Sequence, residues 1–196
     1  MNKNNKRPVV FLDRDGTLNE EVGYIRDAEN LVLINGAGES IKRLNDAGVA
    51  AILVTNQSGV ARQYYPESHI GVLHSRLQKL LADHGATLDA IYYCPHLPVK
   101  TDSSFSGVCD CRKPATGMID LAYNNYPELD RQKSFMVGDK VSDIELAKNC
   151  QARSILVKTG YGEASLKELQ EKKLSPDYVA EDVCQAVDWI LSKLGQ

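Results

Sequence analysis

Net charge is nearly absent from this sequence: 23 lysines and arginines stand against 26 acidic residues, for a formal charge of −3. No broad basic field is available to hold a nucleic-acid backbone, although a small phosphorylated ligand needs only local positive charge. Long apolar runs are missing too. The stretch MNKNNKRPVV is polar and basic, and only a short apolar run follows it before Asp13, so neither a signal peptide nor a membrane span is predicted there. No repeat, low-complexity tract or compositional break divides the 196 residues, and a 43% hydrophobic content suits one core. The expectation is one domain over residues 1–196, a monomer in the cytoplasm, without membrane or nucleic-acid partners.

Cysteines do not pair off either, since there are five, three of them between positions 94 and 111. In a reducing compartment such clustering favours metal ligation over disulfides. Cys94, His96, Cys109 and Cys111 form two close pairs on a polar loop, and three thiolates with one imidazole suit a closed tetrahedral Zn²⁺ site of structural kind. Cys150 and Cys184 stand apart and read as small core residues.

What is present is alternation. Strand-length apolar runs at Val9–Leu12, Ala50–Val54, Ile91–Tyr93, Phe135–Val137 and Ser154–Val157 are separated by segments of helical period. Those segments are 37–47, 66–84, a piece at Leu121 and Ala122, 144–148, 166–172 and 183–194; Leu31–Ile34 reads as one further short strand. Such alternation predicts a three-layer α/β fold, a Rossmann-like parallel sheet covered on both sides, with its ligand site at the carboxyl ends of the strands.

The loops at those ends carry the chemistry. Val9 to Leu12 runs into Asp13 and Asp15, two carboxylates on one side of an extended backbone, with Gly16 and Thr17 in the turn behind them. Two like charges so close call for a cation between them, and a hard divalent ion such as Mg²⁺ suits oxygen ligands. Asp139 and Asp143 follow another strand end and also fit a helix cap with an acidic first turn. Thr55, Asn56, Gln57 and Ser58 offer a hydroxyl, amides and backbone N–H groups to an anion, and Arg112 with Lys113 supplies positive charge.

In order along the chain, DRDGT at 13–17, Thr55, Lys113 and GDKVSD at 138–143 resemble the four motifs of the haloacid dehalogenase (HAD) superfamily of phosphatases. The resemblance implies that Asp13 attacks phosphorus, that Asp15 moves the proton, and that Thr55 and Lys113 stabilise the phosphoryl charge. It also implies Mg²⁺ held by Asp13, the carbonyl of Asp15 and Asp139, with Asp143 orienting the set. The zinc loop, about 94–111, inserted in an essentially capless chain of this type resembles the heptose bisphosphate phosphatases, on FLDRDGTLN, GYI, VTNQSGVAR, YYCPH, CDCRKP and MVGDK. That likeness implies removal of the 7-phosphate of D-glycero-D-manno-heptose 1,7-bisphosphate. It carries substrate-binding positions onto Glu21, Val22, Gly23, Tyr24, Thr55, Asn56, Gln57, Ser58, Arg112, Lys113 and Lys140.

Two other readings compete. Histidinol-phosphate phosphatases share the motifs and a similar zinc loop, but their cationic substrate calls for acidic groups where Arg112 stands. A phosphoryl-ligand binder without hydrolysis would be free to lose Asp15 or Lys113, and both are present. Several further features have plain structural readings: surface positions for His69, His74 and His84, a solvated helix at 164–175, and an apolar stripe around Trp189 on the last helix. The glycine-rich KTGYGE at 158–163 is weak support for a second phosphate site.

Overall fold

Six parallel strands in the order β3-β2-β1-β4-β5-β6 form the single sheet of the computed structural model, which describes residues 6–100 and 102–195. The polar segment 1–5 lies outside the described residues. The strands are β1 Arg7–Leu12, β2 Ala50–Asn56, β3 Ala90–Cys94, β4 Leu129–Gly138, β5 Arg153–Val157 and β6 Tyr178–Ala180. Between them run α1 Ala37–Asp46, α2 Ser68–Ala82, α3 Gly117–Asn125, α4 Val141–Cys150 and α5 Gly162–Glu171, and α6 Val183–Leu194 closes the chain.

The period-2 geometry of a strand explains why β1 is apolar at every central position. Val10 and Leu12 pack into one core with α1, α2 and α6, whereas Val9 and Phe11 pack into another with α3 and α4. A smaller cluster of Ile144, Leu156 and Leu169 seats α5. Trp189 takes its expected place, stacked on Tyr178 with centroids 5.0 Å apart at the edge of the first core. Cys150 and Cys184 are half-buried at the margins of the two cores.

Two expectations need correction, and one strand was not foreseen. Leu31–Ile34 is not a strand: a 3₁₀ turn at Ala28–Asn30 precedes it, and only Leu33 bridges to Asn19, because the chain must turn directly into α1. β6 escaped notice because it is a three-residue edge strand without a sustained apolar run. His74 is buried at 7% exposure, on the face of α2 that carries Ile70, Leu73 and Leu77. A ring at the (i, i+4) position to Ile70 turns inward with its neighbours. His84 is exposed as expected, and His69 is half-buried.

The order in which strands are added reverses between β1 and β4: β2 and β3 step outward on one side of β1, whereas β4, β5 and β6 step outward on the other. Register pairs Leu12 with Val137, so the carboxyl ends of the two central strands lie level and release Asp13 and Asp139 side by side into the crevice. The Asp13 amide donates to the Val137 carbonyl at 2.9 Å and holds that alignment.

Candidate active site and a cysteine-histidine cluster

Lys113 organises the charged centre. Its buried Nζ lies 2.8 Å from Asp13 Oδ1 and 2.7 Å from Asp143 Oδ1, and it donates to the Val54 carbonyl at 3.0 Å. Two carboxylate oxygens and one carbonyl thus surround the ammonium. Its backbone is held as firmly: Asn56 accepts from the Lys113 amide at 3.0 Å and donates to the Lys113 carbonyl at 3.2 Å. Asn56, predicted as a substrate contact, therefore has its amide committed to holding the lysine.

Burial opposes ionisation of Asp13, but the Lys113 and Lys140 ammoniums outweigh it and hold the carboxyl below its usual range. Burial likewise works against charge on Lys113, and Asp13 and Asp143 overcome it, leaving the lysine raised. Asp143 is raised, chiefly by burial. One of its oxygens meets Lys113 and the other accepts from the Lys140 amide at 3.0 Å, capping α4.

Asp139 is different. It is fully buried and pushed up to about 7, first by burial and then by the neighbouring Asp13. Its Oδ2 accepts from the Tyr161 amide at 2.8 Å, while Oδ1 is buried without a hydrogen-bond partner among the described residues. The nearest cation to that oxygen is Lys140 Nζ, at 3.9 Å. Carboxylate oxygens of Asp13, Asp139 and Asp143 all lie within 4.8 Å of one another. Three buried carboxylates crowd around a single buried ammonium, so the donor set fits a hard divalent cation that would satisfy the orphaned oxygen. Gly16 and Gly160 leave room for this carboxylate, since a Cβ at either would collide with Asp139 Oδ2.

Asp15 stands apart from that cluster. Its Oδ1 accepts from Arg14 Nε at 3.1 Å and Asn19 Nδ2 at 3.1 Å, and its Oδ2 accepts from Arg14 Nη2 and Gln57 Nε2, each at 2.9 Å. Gln57 also donates to Thr55 Oγ1 at 3.0 Å and accepts from Arg14 Nη2 at 3.0 Å. Arg14, only 1% exposed, is thus the internal counter-ion of Asp15.

A cleft of about 320 Å³ opens beside Asp15, lined by Glu21, Gly23, Tyr24, Asn56, Gln57, Ser58, Arg112 and Lys140. Eight of the eleven predicted substrate positions therefore converge on it. Asp13, Thr55 and Lys113 are buried outside that lining, and Val22 is exposed and likewise not part of it. Lys140 lies 2.9 Å from Glu21 Oε2 and 4.9 Å from the centre of the Tyr161 ring; burial works to lower it, but Asp13, Asp139 and Glu21 raise it. Ser142 and Tyr161 also line the cleft and were missed from sequence. The signal for Tyr161 was the KTGYGE loop, which is tied to the carboxylate cluster: Thr159 donates to the Gly16 carbonyl at 2.6 Å and the Tyr161 amide reaches Asp139.

The cysteine loop gathers as its spacing predicted. Cys111 Sγ lies 3.1 Å from Cys94 Sγ, 3.3 Å from Cys109 Sγ and 3.4 Å from His96 Nδ1, and Cys94 Sγ lies 3.5 Å from Cys109 Sγ and 3.6 Å from His96 Nδ1. These separations exceed a disulfide bond of about 2.05 Å. They approach the edges of about 3.8 Å expected for a tetrahedron of sulfurs about 2.3 Å from a metal, so the cluster could hold one ion. Arg112 is anchored to it, donating from Nη1 to the His96 carbonyl at 2.9 Å.

Sheet order, strand-end carboxylates and the buried lysine define a HAD-type phosphatase, and the model of the HAD-hydrolase-like family matches residues 110–186. A D-glycero-D-manno-heptose-1,7-bisphosphate 7-phosphatase of Thermosynechococcus vestitus is 48% identical over 96% of this chain and 97% of its own. The Escherichia coli K12 D-glycero-beta-D-manno-heptose-1,7-bisphosphate 7-phosphatase is 39% identical over 95% of this chain and 90% of its own. Among solved structures, the D,D-heptose 1,7-bisphosphate phosphatase of B. bronchiseptica, complexed with magnesium and phosphate, superposes with a TM-score of 0.82 at 30% identity, covering 95% of this chain and 99% of that one. The chain belongs to the D-glycero-D-manno-heptose-1,7-bisphosphate 7-phosphatase family.

Proposed function

We propose that this chain hydrolyses the 7-phosphate of D-glycero-D-manno-heptose 1,7-bisphosphate, working as a single catalytic domain over residues 1–196. The observation that carries the reading is the Lys113 ammonium clamped between Asp13 and Asp143 beside a polar cleft, in a chain 48% identical to a 7-phosphatase.

Asp13 is the nucleophile. Among the described residues its two hydrogen-bonding donors, the Arg14 amide at 2.7 Å and Lys113, both fall on Oδ1, which leaves Oδ2 to attack phosphorus. The P–O bond to the sugar breaks as the aspartyl-phosphate forms, and Asp15 protonates the departing sugar oxygen. Asp15 then takes a proton from the water that attacks the same phosphorus, and Asp13 is released. Since Arg14, Asn19 and Gln57 hold Asp15 in the free chain, each proton transfer requires its carboxyl to turn from them toward the reacting oxygen. Lys113 and the Thr55 hydroxyl stabilise the equatorial phosphoryl oxygens. Mg²⁺, bound by Asp13, the Asp15 carbonyl and Asp139, supplies further neutralisation of that charge. Arg112 and Lys140 line the cleft as partners for the phosphate that stays on the sugar.

The cluster of Cys94, His96, Cys109 and Cys111 holds a structural Zn²⁺, in keeping with its closed donor set. The chain works as a monomer in the cytoplasm, a compartment that unpaired cysteines suit. Among the described residues no helix is long and apolar enough to cross a membrane.

Steady-state assays with both heptose bisphosphate anomers and with histidinol phosphate test the substrate. A higher kcat/KM for a heptose bisphosphate is expected, and a preference for histidinol phosphate would overturn the reading. Asp13→Asn tests the nucleophile: turnover should vanish while inorganic phosphate still binds, and substantial residual turnover would reject the assignment.

A further inference from the structure

Tyr64 does not line the cleft, and nothing in the mechanism uses it. Its ring meets that of Tyr24 edge to face, with centroids 4.7 Å apart and planes at 72°. Tyr24 lines the cleft, whereas Tyr64 lines the surface grooves beyond it. Arg62 lies over the Tyr24 ring at 5.9 Å and Arg26 over the Tyr64 ring at 5.2 Å, so the two arginines flank the aromatic pair. Both tyrosines are 41% exposed, which makes their contact a surface strap rather than core packing.

The segment that presents Tyr64 is pinned. Amides of Arg62, Gln63 and Tyr64 donate to the carbonyls of Ser58, Val60 and Gly59 at 3.0, 2.8 and 2.9 Å, and Gln63 takes a left-handed φ of 59°. The segment bearing Tyr24 hangs between two further anchors. His69 Nε2 lies 3.0 Å from the Ile25 carbonyl on one side, and Glu21 pairs with Lys140 on the other. Between those anchors, Val22, Gly23 and Tyr24 are all exposed, and Tyr64 is the one aromatic ring in contact with Tyr24 among the described residues.

We infer that Tyr64 is a positioning residue for the leaving group: its ring holds Tyr24 upright as a wall of the cleft, so that the sugar end of the substrate is confined while the phosphate is attacked. Aromatic rings offer a sugar flat apolar surface, and an edge-to-face partner with flanking guanidinium groups fixes such a ring without filling the cleft. The inference rests on the proposed phosphatase activity and goes beyond it in assigning discrimination of the leaving group to a residue that touches neither metal nor phosphate.

The experiment compares kcat/KM for heptose bisphosphate with kcat/KM for p-nitrophenyl phosphate, a compact ester lacking the sugar, in wild type, Tyr64→Ala and Tyr64→Phe. In Tyr64→Ala the ratio of the two constants should fall about five-fold, mainly through KM for the sugar. Tyr64→Phe keeps the ring edge and should restore the ratio. A ratio within two-fold of wild type in Tyr64→Ala, or an equal loss in Tyr64→Phe, would overturn the proposal. Tyr24→Ala supplies the second check, because adding Tyr64→Ala to it should lower the ratio no further, and additive losses would reject a role exerted through Tyr24. Should wild type ignore heptose bisphosphate, the function reading fails by itself, and the same variants then test the strap with whichever larger phosphomonoester it does hydrolyse.

Discussion

Asp143 and Lys113 form a buried ion pair of 2.7 Å, with neither side chain more than 1% exposed. Because the same ammonium also neutralises Asp13, removing it leaves two buried carboxylates facing each other next to Asp139. Lys113→Met should therefore lower the unfolding free energy at pH 8 in the presence of a chelator by about 3 kcal/mol or more, and should reduce kcat by about 100-fold or more. Urea melts and steady-state kinetics read the two effects, and a variant as stable as wild type would contradict the assignment.

Asp139 depends on close backbone approach. Gly160 has a left-handed φ of 58°, and a Cβ there would strike Asp139 Oδ2 and crowd Gly16. Gly160→Ala should destabilise the protein by about 1–3 kcal/mol and weaken Mg²⁺ binding, as read by thermal melts with and without Mg²⁺ and by calorimetric titration. Unchanged Mg²⁺ affinity would separate the loop from the carboxylate cluster.

Elemental analysis of the purified chain should find about one zinc per molecule, and Cys109→Ser should lose it together with thermal stability. Because Arg112 hangs on the His96 carbonyl, zinc loss should also raise KM for the bisphosphate. A Cys109→Ser protein that keeps its metal and its melting temperature would exclude the four-ligand site.

His74 yields a pH dependence of definite sign. Burial, then the Arg14 charge, pulls the imidazole down from 6.5 to about 4, against an opposing pull from Asp15. The folded state thus favours the neutral ring. Its contribution is fully present above pH 6.5 and is lost as pH falls toward 4, because the unfolded chain takes up the proton first. Over that window wild type should lose on the order of 3 kcal/mol more stability than His74→Leu. Chemical denaturation at several pH values measures the difference, and parallel pH profiles would refute it.

Much of this was legible in the chain because strand periodicity and strand-end chemistry are local. Val9–Leu12 running into Asp13, or Phe135–Val137 into Gly138 and Asp139, states both the buried strand and the group it presents. The cysteine pairs were legible for the same reason, since thiol and imidazole donors at short spacing have few other uses. The inward turn of His74 was not, because a histidine on an amphipathic helix suits either face until its neighbours are known. Nor could spacing reveal that Asn56 clamps the Lys113 backbone, which lies 57 positions away.

The sequence by itself determined the layered parallel sheet, the family, the charged groups and the cysteine cluster, since each follows from residue type and short-range pattern. Tertiary structure alone decided how those charges are shared: Lys113 between Asp13 and Asp143, Arg14 with Asp15, Lys140 with Glu21, and one oxygen of Asp139 left over. Electrostatic pairing in a buried site depends on separations of a few ångströms between distant parts of the chain, and only the packed sheet sets those separations.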